Sequence, residues 1–313
     1  MIKKHNVSIK GIGSYAPSRV LTNKDMSKLY GTNEQWPEIY LGIKERRWVV
    51  DELTSDIGYK AALKALEDAN ISAKDVDLLI LATSSPDKIA PSTACIIAEK
   101  LQINCPCFDI NAVCTGFLYA LNIASSLISS GAYKNILLVA AETYSRITDT
   151  NNRDCVYFGD GSGAIVLSSS NNGWIGSKIY SDPTGKDGFM TPINSTFIMN
   201  GKAVFEAGST NLPVAIKEVW SSLNVNIHDV KYLVPHQPSI KMLQSIAKSV
   251  DIPFEKVVTI MDRYANIAAA SIPMALDTIV KQGKVNNGDI LTLASVGSGW
   301  TWGAGVIKWD KIK

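Results

Sequence analysis

The sequence predicts an internally duplicated α/β fold: two βαβαβαββ halves, residues 1–170 and 171–313, layered α-β-α-β-α. Three observations carry this. Asn70-Ile-Ser-Ala-Lys-Asp-Val-Asp-Leu-Leu-Ile-Leu-Ala returns 154 residues later as Asn224-Val-Asn-Ile-His-Asp-Val-Lys-Tyr-Leu-Val-Pro-His. Phe108-Asp-Ile-Asn-Ala-Val-Cys matches Met261-Asp-Arg-Tyr-Ala-Asn-Ile, an offset of 153, and Gly131 and Gly283, 152 apart, close the helices that follow. Finally, unbroken runs of Leu and β-branched residues alternate with helical stretches, the pattern of strands covered on both faces.

In chain order, Val7-Ser-Ile-Lys-Gly opens the first strand, and an amphipathic helix over roughly 57–69 leads to the buried run Leu78-Leu-Ile-Leu-Ala. A helix over 92–102 precedes the strand Cys107-Phe-Asp-Ile-Asn, a turn around Cys114 and an apolar helix from Gly116 to Gly131. Ile136-Leu-Leu-Val-Ala-Ala is the next strand, and Gly159-Asp-Gly-Ser-Gly reads as a turn before the strand Ala164-Ile-Val-Leu. The second half repeats this with helices at 212–223 and 239–250, the strand at Ile290-Leu-Thr-Leu-Ala-Ser and a turn at Gly297-Ser-Gly. Two such units place equivalent loops at their seam, where a site is expected.

Composition excludes several classes. With 31 basic and 29 acidic residues the net charge is only +2, too little to hold a nucleic-acid backbone or an anionic membrane. Hydrophobic residues at 46% and charged residues at 19% describe a folded chain with a large core. No apolar run reaches the roughly 18–20 residues that span a bilayer, and Met1-Ile-Lys-Lys-His-Asn passes directly into the first strand, so a cytoplasmic protein is expected. Five cysteines, an odd count, argue against a disulfide framework.

Cys114 stands between a strand and an apolar helix, at a helix N-terminus whose dipole and N–H groups favour thiolate over thiol. An offset of 152 maps it onto Asn266, an amide donor at the matching turn of the second half. His236 leaves a buried strand into a proline-bounded loop facing the same seam, whereas His5 and His228 read as structural. A Cys/His/Asn trio permits nucleophilic acyl transfer and equally a cysteine hydrolase. Cys95, Cys105 and Cys107 read as packing residues rather than metal ligands, since no second paired motif accompanies them. The glycine-rich stretches lack the Lys-Ser/Thr of a phosphate loop.

These residues resemble the β-ketoacyl-acyl-carrier-protein synthase III enzymes of the thiolase superfamily. The resemblance runs over essentially the whole chain through Gly11-Ile-Gly-Ser-Tyr-Ala-Pro, Leu41-Gly-Ile-Lys-Glu-Arg, Ala112-Val-Cys-Thr-Gly-Phe, Phe158-Gly-Asp-Gly-Ser-Gly-Ala, Val234-Pro-His-Gln and Gly299-Trp-Thr-Trp-Gly. It implies a thiolase-like fold and an acyltransferase that condenses an acyl thioester with malonyl-acyl carrier protein. Cys114 would take the acyl group, and the N–H groups of Cys114 and Ser298 would form the oxyanion hole. His236 and Asn266 would stabilise the enolate, with Gln237 supporting the His loop. No metal or redox cofactor is implied.

The same resemblance implies a substrate entrance at Trp36 and Arg153, with Phe158 and Ser239 lining the site. Tyr40 replaces an Arg that family members carry near Trp36, which shifts the expected acyl donor from acyl-CoA towards a carrier protein. Ala90 stands where some members place a bulky aromatic reaching across a dimer, so a larger or branched primer is expected in a homodimer. Lys241 and Lys248 form a basic face for an acidic acyl carrier protein, or a solvated helix face. Transfer to an oxygen or nitrogen acceptor and a non-catalytic partner subunit are the competing readings. Retention of Asn266 argues against the first, which would keep Cys114 and His236, and retention of all three argues against the second.

Overall fold

The computed structural model describes residues 2–31 and 33–311. In its first half the strands are β1 (Val7–Tyr15), the short pair β2 (Val20–Thr22) and β3 (Glu45–Arg47), β4 (Leu78–Ala82), β5 (Cys107–Ile110), β6 (Asn135–Thr143) and β7 (Asp160–Ser169). The helices of this half are α1 (Asn23–Tyr30), α2 (Thr54–Ala69), α3 (Thr93–Leu101) and α4 (Gly116–Ser129). The second half contributes β8 (Trp174–Ser181), the pair β9 (Phe189–Met190) and β10 (Ile198–Met199), β11 (Val230–Pro235), β12 (Ile290–Gly297) and β13 (Thr301–Lys308). Its helices are α5 (Gly201–Leu223), α6 (Ile240–Ser249), α7 (Met261–Tyr264) and α8 (Ser271–Lys281).

The two main sheets have matching orders, β1-β7-β6-β4-β5 and β8-β13-β12-β11. In both, the first two pairings are antiparallel and the next is parallel. The counterpart of β5 is reduced to one parallel bridge, Leu233 to Val257. Asn70 and Asn224, paired by the repeat, end α2 and α5 in the same left-handed conformation, φ 52° in each. Helices α4 and α8 pack between the sheets, α2 and α3 cover the outside of the first sheet, and α5 covers the outside of the second with α6 packed on it. The predicted α-β-α-β-α layering of a thiolase-type fold is therefore observed.

Three apolar cores follow from this layering. The central one joins Phe117, Leu118 and Leu121 of α4 to Ile272 and Leu276 of α8 between the sheets. The outer cores lie under α2 and α3, and under α5 and α6. Arg46 is fully buried beside the last of these, its guanidinium donating to Leu21 O (3.2 Å), Asn23 Oδ1 (2.9 Å) and Val156 O (3.1 Å).

Three expectations change. Helix α5 has 23 residues and continues through Pro213, so it begins eleven residues before the expected 212. Gly159-Asp-Gly-Ser-Gly is mostly strand, not turn: β7 starts at Asp160 because α8 presses on it. A side chain at Gly161 or Gly163 would meet Met274 Sδ or Pro273 Cβ at 2.8 Å. The third concerns the repeat. Ala112 (φ −137°, ψ 31°) and Ile267 (φ −108°, ψ 32°) precede equivalent 3-10 turns, which open with the strained residues Val113 (φ 48°) and Ala268 (φ 41°). The structural offset at the turn is thus 155, so Cys114 corresponds to Ala269 and Asn266 to Asn111. Helix α8 has 11 residues against 14 in α4, and an offset read from the terminal glycines slips by those three.

Candidate active site

After β5 the chain bends sharply at Val113, whose positive φ is costly for a β-branched residue, and so presents Cys114 at the start of α4. Cys114 is 8% exposed and lines a cavity of about 300 Å³ that opens beside Trp36 and Tyr40. His236, Asn266 and Ser298 line the same cavity, so three loops of the second half meet the nucleophile's turn. His236 follows β11 and donates its backbone N–H to Ala294 O (2.9 Å). Asn266 precedes α8. Its Oδ1 accepts from Ala268 N (2.9 Å) and Ser271 Oγ (3.3 Å), which leaves the amide N–H groups as its free face, and its side chain hydrogen-bonds to Cys114.

The supports of this arrangement are specific. Gln237 is fully buried, donating from Nε2 to Pro235 O (3.0 Å) and Val258 O (3.1 Å) while Oε1 accepts from Ile260 N (2.8 Å). That fixes the loop carrying His236. Ser239 lines the cavity and caps α6, its hydroxyl accepting from Met242 N (3.2 Å). The β12–β13 turn with Ser298 lies directly on the nucleophile's turn: a side chain at Gly297 would meet Ala112 O at 2.8 Å. Thr301 Oγ1 donates to Ala112 O (3.3 Å), and Ser298 Oγ to Phe189 O.

Burial dominates the electrostatics. It pushes the Cys114 thiol up to about 12, aided by the charge of Glu142 and partly offset by the Asn266 hydrogen bond. It also pushes the His236 imidazole down to about 3. Burial thus opposes the thiolate that the helix N-terminus favours, and it favours the neutral form of both Cys114 and His236. Nδ1 of His236 is buried without a protein partner.

At the mouth, the Arg153 guanidinium lies 4.8 Å from the Trp36 ring, which stacks on Tyr40 at 6.0 Å and meets Tyr157 edge-on at 6.0 Å. Lys241 is exposed at the cavity rim, and Lys248 is exposed on the same helix. Behind Cys114 stands an aromatic wall of Tyr144, Phe158, Phe189 and Phe197, whose neighbouring centroids lie 4.4–6.2 Å apart. Ala90, by contrast, is exposed and lies outside the cavity of its own chain, so the primer space is set by these rings. Cys95 and Cys107 sit side by side near the sheet edge, and among the described residues no three His, Cys, Asp or Glu side chains are grouped to hold a metal.

The family description 3-oxoacyl-[acyl-carrier-protein (ACP)] synthase III matches residues 108–183, and its C-terminal counterpart matches 221–309, regions that hold Cys114 and the His236, Asn266 and Ser298 loops. The beta-ketoacyl-[acyl-carrier-protein] synthase III of Clostridium acetobutylicum is 41% identical over 98% of this chain and 100% of its own length. The chain belongs to the 3-oxoacyl-[acyl-carrier-protein] synthase III family. The enzyme of that name from Thiobacillus denitrificans is also 41% identical, over 96% of this chain and 98% of its own. The solved 3-oxoacyl-[acyl-carrier-protein] synthase III of Aquifex aeolicus superposes with a TM-score of 0.95 at 37% identity, covering 97% of this chain and all of that one. Xanthomonas campestris OleA shares the fold, with a TM-score of 0.91 at 24% identity.

Several residues of this synthase III site had faint signals in the sequence. Glu142 ends the apolar run of β6, and a lone carboxylate there marks a buried charge. Ser295 is a hydroxyl in the apolar run of β12. Phe189 and Phe197 lie in the irregular stretch around β9 and β10, where no periodicity pointed inward.

Proposed function

We propose that this synthase III condenses a short acyl primer with malonyl-acyl carrier protein through an acyl-Cys114 intermediate. The carrying observation is the convergence of Cys114, His236 and Asn266 on one buried cavity, with the Asn266 amide on the sulfur.

Burial favours a neutral thiol and a neutral imidazole, so His236 acts as general base when a thioester is bound. The sulfur attacks the thioester carbonyl, and the thiol proton passes to His236 and then to the leaving thiol. The oxyanion is held by the N–H groups of Cys114 and Ser298. In the second stage the malonyl thioester loses CO₂, and the electron pair of the broken bond becomes an enolate. Its oxygen accepts from the Asn266 amide and His236. The enolate carbon then attacks acyl-Cys114, the C–S bond breaks, and the released thiolate takes a proton from water.

The Trp36–Arg153 pair supports acyl-CoA as donor, since a cation over an indole offers a slot for a flat base and its phosphates. Lys241 at the rim, with Lys248 beyond it, supplies positive charge for an acidic carrier protein. Gln237 and Ser239 hold the His236 loop and α6. The aromatic wall, with Phe158 nearest the centre, favours short primers over the larger ones that Ala90 suggested. Ala90 sits beside Ile89, which is 84% exposed, on a loop tied to edge strand β5 through Thr93 N and Asp109 (2.7 Å). A second copy of the chain is the partner proposed for that edge. Among the described residues no helix is long and apolar enough to cross a membrane.

Intact-protein mass spectrometry tests the first stage. Short acyl-CoA donors are expected to add one acyl mass that is absent in Cys114→Ala; absence of loading from every donor would contradict the assignment.

A further inference from the structure

Glu142 takes no part in the chemistry above, yet it is wholly buried at the end of β6 between the two halves. Its Oε1 accepts from Ser84 N (3.2 Å) and Ser84 Oγ (3.0 Å), and Oε2 from Ser84 N (3.1 Å), Ser85 Oγ (2.6 Å) and Thr83 Oγ1 (3.4 Å). The backbone N–H of Ala269 also donates to it. All of these are donors and none is a cation. A buried carboxylate without a counter-ion costs several kcal/mol unless such donors hold it, and an acceptor-only group is what this set of donors requires.

The partners divide between the halves. Thr83, Ser84 and Ser85 follow β4, whereas Ala269 lies three residues after Asn266, in the turn whose Ala268 N–H fixes the Asn266 side chain (2.9 Å). Cys114 is held separately, its carbonyl accepting from Ser295 Oγ (2.7 Å). We propose that Glu142 is a positioning residue for the condensation stage: it clamps the Asn266 turn to the loop after β4, and acyl loading on Cys114, whose thiol its charge holds up, is not slowed by its loss.

Burial pushes the Glu142 carboxyl up to about 7. The titratable groups facing it are Cys114, ahead of α4, and Tyr144, just beyond its own strand. Above that pH it is ionised and accepts from every partner. Below it, a protonated oxygen faces donors and the clamp loosens.

The inference rests on the condensing reading, and the test separates the two. In Glu142→Gln the amide NH₂ faces donors, and loss of one or two buried hydrogen bonds predicts a malonyl-dependent discharge slower by roughly tenfold or more. Loading of Cys114 is expected not to slow, because removing the Glu142 charge takes away one of the causes that raise the thiol. In the wild-type protein the ratio of discharge to loading should fall from pH 8 to pH 6, a dependence absent from the variant. Equal slowing of both stages, or of neither, would overturn the proposal; if the variant does not fold, the wild-type ratio decides, and a ratio flat across this range overturns it. Failure of the condensing reading shows instead as no discharge by malonyl-carrier protein from the wild-type acyl-enzyme. The crystal structure of the variant then decides: a displaced Asn266 with Cys114 in place supports the clamp, and an unmoved Asn266 contradicts it.

Discussion

The hydroxyl of Ser295 donates a 2.7 Å hydrogen bond to the carbonyl of Cys114, so a strand of the second half holds the nucleophile's turn of the first. Both groups are buried, and Ser295→Ala leaves the carbonyl without this partner. The expected cost is about 1–3 kcal/mol of stability, with slower acyl loading. Thermal unfolding and single-turnover loading check the two effects together. Unchanged values in both would show that Gly297 packing and the Thr301–Ala112 hydrogen bond suffice to fix the turn.

Acid should expose the burial of His236. Its imidazole stays neutral in the folded protein down to about pH 3, whereas the unfolded chain takes up a proton near its ordinary value of 6.5. The unfolded state therefore binds more protons below pH 6.5, and stability falls as pH falls through that window, by up to about 1.4 kcal/mol per pH unit. Glu142 and Asp160, raised to about 7 and about 6, act in the opposite direction over part of the range. The difference between wild type and His236→Gln isolates the histidine. Urea denaturation at pH 7 and pH 5 should show the variant losing less stability.

Phe197→Ala removes one ring of the wall behind Cys114, where Phe197 meets Phe158 at 5.0 Å and Phe189 at 5.6 Å. The opened space should let acyl chains longer than those used by the wild type load onto Cys114. The accompanying loss of stability is about 3–5 kcal/mol. Competition between donors of increasing length, read by intact mass, checks the shift. Tyr144 is held more firmly, through Ser84 Oγ at 3.0 Å, and Tyr144→Phe should leave the length preference in place.

Trp36→Ala takes away the surface on which Arg153 rests. Loss of a stacking platform worth about 1–2 kcal/mol predicts a 5- to 30-fold rise in KM for acyl-CoA, in rough terms. The same acyl group on pantetheine alone, which lacks the nucleotide, should show little change. Equal effects on both donors would place Trp36 in the pantetheine path instead.

The duplication was legible because buried strands and helix-ending residues, such as Asn70 and Asn224, are repeated chemistry at repeated spacing. Cys114 and His236 stood out as reactive types following strands and Asn266 through the repeat, and the fold gathers them. The pairing of Cys114 with Asn266 across the repeat was not legible correctly, since a helix shorter by three residues shifts the register without disturbing the glycines. The helix expected from 212 runs from Gly201 through Pro213, and the glycines of β7 marked a turn where close approach of α8 required small residues. Glu142, Ser295 and the Phe189–Phe197 wall act through contacts distant in sequence, which periodicity does not register. Ala90 drew attention by its sequence neighbours, yet its own chain turns it outward.

Acyl-Cys114 is proposed to be resolved by carbon rather than by water, oxygen or nitrogen. The most direct test is to load the protein stoichiometrically from a short acyl-CoA, remove the donor, add malonyl-acyl carrier protein and quantify products by mass. One 3-oxoacyl-carrier protein and one CO₂ are expected for each acyl group lost, abolished in Asn266→Ala while loading persists. Free carboxylic acid, or an ester or amide in place of the 3-oxoacyl product, would contradict it.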